Sequence, residues 1–500
     1  MKNFRIHSKR IIAVILTLIL AFSCVSVMAF AADAETVYPT IYIKGQGSNL
    51  TADGTRNGEQ IYPVEIPDGY IGDRAKELIV PLASAMATGD WEDYNQGLYE
   101  AILPIVNKPA CDENGDVVDG SGSMWTSSTK PIPIQVGSSV MTWTFDYDWR
   151  LDPVDCVEAL HDYIGFVKSK TGSEKVNIIA RCLGTNIILA YEDKYGMKDV
   201  QKCVLCCSGF EGFETMGAIF AGEIEFDSSA IERFSDTYLA VEDYADDPSF
   251  EIMRLLVTAI DATPLLSFTA DTANNFFKNI KDDAWRRLLR DSYATMPSFW
   301  SYFGDDYYEA AKAYIFGGEE EKYAGLIEKA EADGVYIYNV VKYGFQMIPV
   351  LGADYTMSDT IISTQRSSLG AVCSFIDTQL SSNYLKDADM KYVSPDKQID
   401  ASSARYADHT WFIKNMSHRF MPETIDLVFG AIISAPGYAT VDDVEGYPQF
   451  LMSSDDGSVI EPATAENTQV VIDRVNENPL VAFIKAIIRV LKMLFAKIAG

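Results

Sequence analysis

The chain has 500 residues, more than one compact core usually needs, so a core with an insertion or a second domain is expected. Hydrophobic residues make up 48% of it, which excludes a largely disordered chain. With 41 basic against 71 acidic residues the formal charge is −30, which argues against a nucleic-acid partner and says nothing of fold.

Residues 1–31 read as a secretory signal peptide. Lys2, Arg5, Lys9 and Arg10 form a charged start, residues 11–27 are apolar, and Ala29-Phe30-Ala31 is a small-residue cleavage site. The expectation is a secreted or cell-surface protein. Removing the signal leaves 37 basic residues and seven of the eight cysteines, because Cys24 lies within it. Seven is odd, so at least one thiol must stay unpaired.

Residues 38–43 (YPTIYI) are β-branched and aromatic and end in Gly45-Gln46-Gly47, a strand followed by a tight turn. Residues 51–140 show little regular pattern. Within them 112–116 (DENGD) reads as a hairpin turn; the glycine offset and the missing final acid rule out a calcium loop. Val157, Leu160, Ile164 and Val167 recur at three and four, predicting an amphipathic helix over 154–168. A strand at 175–180 (KVNIIA), a helix from 184 (GTNIILAYEDKY) and a strand at 200–207 (VQKCVLCC) follow with short turns. Such alternation predicts right-handed βαβ units and a mostly parallel sheet.

Strand signals vanish over 213–332, which reads as a helical cap inserted between strands. Phe299, Trp300, Tyr302, Phe303, Tyr307 and Tyr308 give it a dense aromatic cluster, either the lining of an acyl cleft or the core of a small helical domain. Strands return at 335–341, 345–350 and 410–413, and an apolar helix spans 423–433. The α/β core is therefore assigned to 32–212 and 333–452, and the polar stretch 453–478 to a linker. Residues 479–500 are apolar apart from Lys485, Arg489, Lys492 and Lys497, whose spacing makes a cationic amphipathic helix. It suits an anionic membrane surface or the acidic body of the protein itself.

Chemistry concentrates at Ala180-Arg181-Cys182-Leu183-Gly184, between a strand and a helix. Small residues at the first and last positions let strand and helix approach, thrusting the middle side chain out at a helix N-terminus. That position favours a thiolate and aims N–H groups at developing negative charge.

The run Tyr147-Asp148-Trp149-Arg150-Leu151-Asp152-Pro153 resembles the YDWR-L-x-P signature of lecithin:cholesterol acyltransferase-like proteins, a branch of the α/β-hydrolases. Residues 39–50 (PTIYIKGQGSNL) resemble that family's first strand and oxyanion loop, and 176–212 its strand, elbow, helix and strand. The resemblance implies an α/β-hydrolase fold and action on acyl esters, lipid ones in the family's manner, without metal or cofactor. The chain departs from the pattern in having Cys182 for serine, Arg181 for histidine and Lys44 for proline or histidine. A Cys-His-Asp triad on this fold is known in the dienelactone hydrolases.

Triad order on this fold is nucleophile, acid, histidine. His7 lies in the signal and His161 precedes the elbow, which leaves His418 as the base, ahead of His409. The acid should follow the strand FQMIPV, as Asp359 or, second, Asp354. Leu183 and Gln46 would supply the backbone N–H groups of an oxyanion hole. Two functions remain: an ester hydrolase or acyltransferase using Cys182, His418 and Asp359, or a catalytically silent hydrolase-fold protein that binds a partner or surface outside the cell. A peptidase or amidase on the same triad is a third.

Overall fold

The computed structural model describes residues 37–45, 50–53, 58–62, 64–107, 110–111, 129–135, 138–215, 222–227, 229–230, 270–291, 320–349, 352 and 355–469. The signal peptide at 1–31, the aromatic cluster at 299–308, the cationic segment 479–500, Gln46 and Asp354 lie outside them.

Nine strands form the central sheet: β1 (Thr40–Ile43), β2 (Thr129–Gln135), β3 (Ser138–Phe145), β4 (Val176–Arg181), β5 (Val200–Cys206), β6 (Tyr336–Tyr343), β7 (Thr410–Lys414), β8 (Phe450–Ser453) and β9 (Ile460–Pro462). Their spatial order is β9-β8-β7-β6-β5-β4-β1-β3-β2. The seven inner strands run parallel, while β2 and β9 are antiparallel edges. Strand β4 reads as a nearly continuous apolar run, as a strand covered on both faces does, and only its Arg181 escapes full burial.

Local chemistry sets the helices that flank β4. Helix α3 (Pro153–Thr171) starts where Asp152 accepts the Val154 N–H and Pro153 sits at the first turn, and it stops at Gly172 with φ 71°. Helix α4 (Leu183–Tyr195) leaves β4 directly and is buried along most of its length. Helix α6 (Glu320–Ala332) packs on α4 through Leu326, Ile327 and Ala330 against Ile188 and Leu189. The same contact includes a Lys329 Nζ donation to the Glu192 carbonyl at 2.8 Å. Residues 320–332 thus flank the sheet, although the predicted cap ran to 332.

A second difference concerns α1 (Tyr70–Thr88) and α2 (Glu92–Val106), which sequence grouped with the core. They share a hydrophobic cluster with α5 (Ala270–Ile280) and the π- and α-turns that continue it to Arg290. Phe276 sits edge-on to Tyr94 at 5.4 Å, and Asn95 Nδ2 donates to the Asn279 carbonyl at 3.2 Å. Burying Phe276, Phe277 and Ile280 contributes roughly 1.5–3 kcal/mol each. Helical residues from before the sheet's second strand therefore join the inserted ones.

The predicted linker is also partly structured. Residues 450–453 and 460–462 form a hairpin, with Ser453 opposite Ile460, and β8 lies beside β7. An antiparallel edge strand with one solvated face needs few large hydrophobes, so its composition reads as loop. No described helix is long and apolar enough to cross a membrane. Strand order, parallel core and the strand–turn–helix at β4–α4 together form the expected α/β-hydrolase architecture.

Candidate active site

Cys182 stands at the turn between β4 and α4 with φ 52° and ψ −127°, a region that costs a non-glycine residue of order 1–3 kcal/mol. The surroundings hold it there. Its N–H donates to the Cys206 carbonyl at 3.0 Å, and its carbonyl accepts from Thr185 N–H at 2.9 Å and Thr185 Oγ1 at 2.7 Å. Two glycines make room for the turn. A Cβ at Gly184 would fall 2.6 Å from the Lys44 carbonyl oxygen, and one at Gly45 would fall 2.7 Å from Cys182 Cβ and 3.3 Å from its Sγ. The loop after β1 therefore presses against the thiol.

The YDWR run supports that loop. Tyr147 donates its hydroxyl to the Lys44 carbonyl at 3.0 Å. Arg150, wholly buried, grips Asp148 through Nε at 2.9 Å and Nη2 at 2.6 Å. Lys44 itself reaches Asp146 at 2.9 Å.

His418 lies on the loop after β7 and Asp359 on the loop after β6, which brings both to the carboxyl end of the sheet beside Cys182. His418 Nδ1 is 2.7 Å from Asp359 Oδ2, and the imidazole shares a hydrogen bond with the Cys182 thiol. Asp359 is fully buried, and its Oδ1 accepts the N–H groups of Ile361 at 3.0 Å and Ile362 at 2.9 Å. A second link joins the two loops: the His418 N–H donates to the Asp359 carbonyl at 2.5 Å. The carboxylate thus fixes ring orientation and leaves the other ring nitrogen for sulfur.

Electrostatics favour an ion pair. Burial pushes the Cys182 thiol up, but the charge and hydrogen bond of His418, the Arg181 guanidinium and the Leu183 N–H outweigh it and hold the thiol below its usual range. Burial pushes His418 down, yet Asp359 and Cys182 raise it well above the ordinary imidazole value. Burial alone would also raise Asp359; His418 and two backbone donors bring it below the usual carboxylate range. The two shifts, thiol down and imidazole up, both favour passing the thiol proton to the ring.

Of the sequence-chosen residues, Cys182, His418, Asp359 and Leu183 meet here. His409 does not: it precedes β7, at the amino end of that strand, and stacks on Tyr438. His161 pairs with Tyr191 and Tyr195 between α3 and α4. Residues that sequence reasoning missed are Lys342, buried on β6 with three carbonyls of the His418 loop around it, and Cys207. Ligating atoms of Cys207, Asp359 and His418 fall within 4.8 Å of one another. Both Asp359 oxygens already accept N–H donors. No disulfide links the described cysteines.

No protein-family model matches the chain, and no curated protein matches it. Among solved structures it is similar to a chain in the crystal structure of the Tle4–Tli4 complex, at 13% identity, over 61% of this chain and 74% of that one. The TM-score is 0.22, too low for that likeness to carry any argument.

Proposed function

We propose that the protein is a hydrolase or acyltransferase of carboxylic esters, lipid esters in the first instance, that works through a Cys182 thiolate, His418 and Asp359. One observation supports it above the rest: the thiol on a strained elbow is hydrogen-bonded to an imidazole that is itself 2.7 Å from a buried carboxylate.

The thiolate attacks the ester carbonyl carbon, and the carbonyl oxygen becomes an oxyanion. The Leu183 N–H and donors from the Gly45 loop, where sequence puts Gln46, would receive that charge; one such donor is typically worth about 3 kcal/mol of barrier. Collapse expels the alkoxide, which takes the His418 proton, and leaves a thioester on Cys182. Neutral His418 then draws a proton from water or an acceptor alcohol as its oxygen attacks the thioester. Sulfur departs as thiolate, the acid or new ester leaves, and His418 is again protonated. Asp359 holds the ring throughout and stabilises its charged form.

The reading extends to the cell. Residues 1–31 would export the chain, and 479–500 would rest on an anionic membrane surface near ester substrates. Helices around 270–290 would form part of a cap.

The test is turnover of p-nitrophenyl esters from short to long acyl chain by the full chain, beside p-nitroanilides. Expected are ester hydrolysis and a hydroxylamine-labile acyl mass on the Cys182 peptide. Anilide cleavage without ester cleavage would make it an amidase. Absence of both, with no acyl mass, overturns the enzyme reading.

A further inference from the structure

Two cations converge on one carbonyl beneath the site. The Arg181 guanidinium donates through Nη2 to the main-chain oxygen of His418, and the Lys342 ammonium donates to the same oxygen at 3.0 Å. Lys342 also reaches the carbonyls of Ser417 at 2.9 Å and Phe420 at 2.6 Å. Its side chain is wholly buried, and all three of these acceptors are neutral.

Desolvating an ammonium is expensive, and carbonyl dipoles offset only part of that cost. Burial accordingly holds Lys342 below the usual lysine range. The groups that face the two cations are Tyr42 on β1, Cys182 at the elbow, Cys206 and Cys207 at the end of β5, and Asp359 on the acid loop; Asp426 adds its charge near Tyr42. Asp359 is already matched by His418. Sulfur is what else faces them: Cys206 and Cys207 lie near both cations, and Cys182, the sulfur bonded to the imidazole, lies near Arg181. A serine hydroxyl, neutral at rest, would give this field nothing to stabilise.

We infer that Arg181 and Lys342 are positioning residues: together they clamp the His418 loop to the elbow, and Arg181 sets a positive charge beside the Cys182 sulfur. The inference rests on the proposed thiol chemistry at Cys182. It gives the arginine before the nucleophile a purpose and makes the site one built for sulfur.

The experiment is the pH dependence of iodoacetamide alkylation at Cys182, followed by mass spectrometry on the full chain. Wild type should show a midpoint below that of an ordinary thiol. Arg181→Met and Arg181→Gln should raise it by about one pH unit, as expected for a lost neighbouring charge. Below both midpoints the thiolate fraction then falls about tenfold. Observed alkylation slows about three- to fourfold, because the more basic thiolate is the better nucleophile. Arg181→Lys, which keeps the charge, should restore the midpoint, and Lys342→Met, which frees the His418 loop, should move it in the same direction by less. An unmoved midpoint in natively folded Arg181→Met, or a wild-type midpoint at the ordinary thiol value, overturns the inference. The second outcome needs no variant to fold. A shifted midpoint in a protein that cleaves no ester would keep the clamp and remove the ester reading.

Discussion

Strand β7 has a histidine at each end, His409 just before it and His418 four residues after it. His409, at the amino end, lies flat on Tyr438 with ring centroids 3.7 Å apart, and its Nδ1 meets the Ala439 carbonyl at 3.1 Å. Burial depresses its pKa, only partly countered by that carbonyl and by nearby aspartates. His418, at the carboxyl end, is buried more deeply yet raised well above the ordinary value, because it lies between Asp359 and Cys182. Burial alone therefore decides neither charge state; the partners do. In a parallel sheet the carboxyl ends open into adjacent loops, and neighbouring strands can deliver acid, base and nucleophile to one point. The amino ends here pack helix and loop over aromatic rings.

Substitution at the two ends gives the sharpest test. His418→Ala or Cys182→Ala should lower kcat on the best p-nitrophenyl ester by about 10⁴-fold or more, the scale seen when a triad member is removed. His409→Leu should stay within about threefold of wild type, as surface-directed changes away from a site usually do. Comparable losses at both ends would break the comparison. Asp359→Asn comes next, at about 10³- to 10⁴-fold, because an amide N–H facing Nδ1 favours the wrong tautomer.

Lys414, the last residue of β7, sharpens the contrast differently. Its Nζ is 2.5 Å from Asp396 Oδ2 and 2.7 Å from Gln398 Oε1, with both charged side chains 1% exposed. It is a closed pair, unlike Lys342, whose hydrogen bonds go to carbonyls. Lys414→Met should destabilise the fold by about 3–5 kcal/mol in urea unfolding, since Asp396 is left buried and alone, while adding Asp396→Leu should recover most of that. Gly45→Ala is smaller: a Cβ 2.7 Å from Cys182 Cβ must displace loop or thiol, and kcat should fall about 10²-fold with little change in melting temperature.

How much of this was legible in the sequence follows from which interactions are local. The Val157-Leu160-Ile164-Val167 stripe and the apolar KVNIIA run each report their own element, so α3, α4, β4 and β5 stood out. Cys182, His418 and Asp359 could be singled out because four histidines and a fixed chain order left few choices. Helices α1 and α2 were not, because Pro81 and Pro104 interrupt their patterns and their apolar faces find a partner near 276, far along the chain. Lys342 and Lys414 looked like ordinary strand polars. Their burial depends on loops from 394–420, which no local window contains. The hairpin at 450–462 was hidden by its solvated face.

The smallest effect tests charge at both ends of β7 together through stability against pH. His409 is depressed from 6.5 on folding, so between its folded value and 6.5 the unfolded chain holds more protons. Its contribution is therefore present above 6.5 and fades as pH falls through the lower, folded value. His418 is raised, so its contribution is present below 6.5 and fades as pH rises through the higher, folded value. Urea midpoints of His409→Leu, set against wild type, should converge with it on acidification below 6.5. Those of His418→Gln should converge with wild type on the alkaline side instead. If both variants shift on the same side, the two rings titrate alike, and the opposition of the two strand ends reduces to packing.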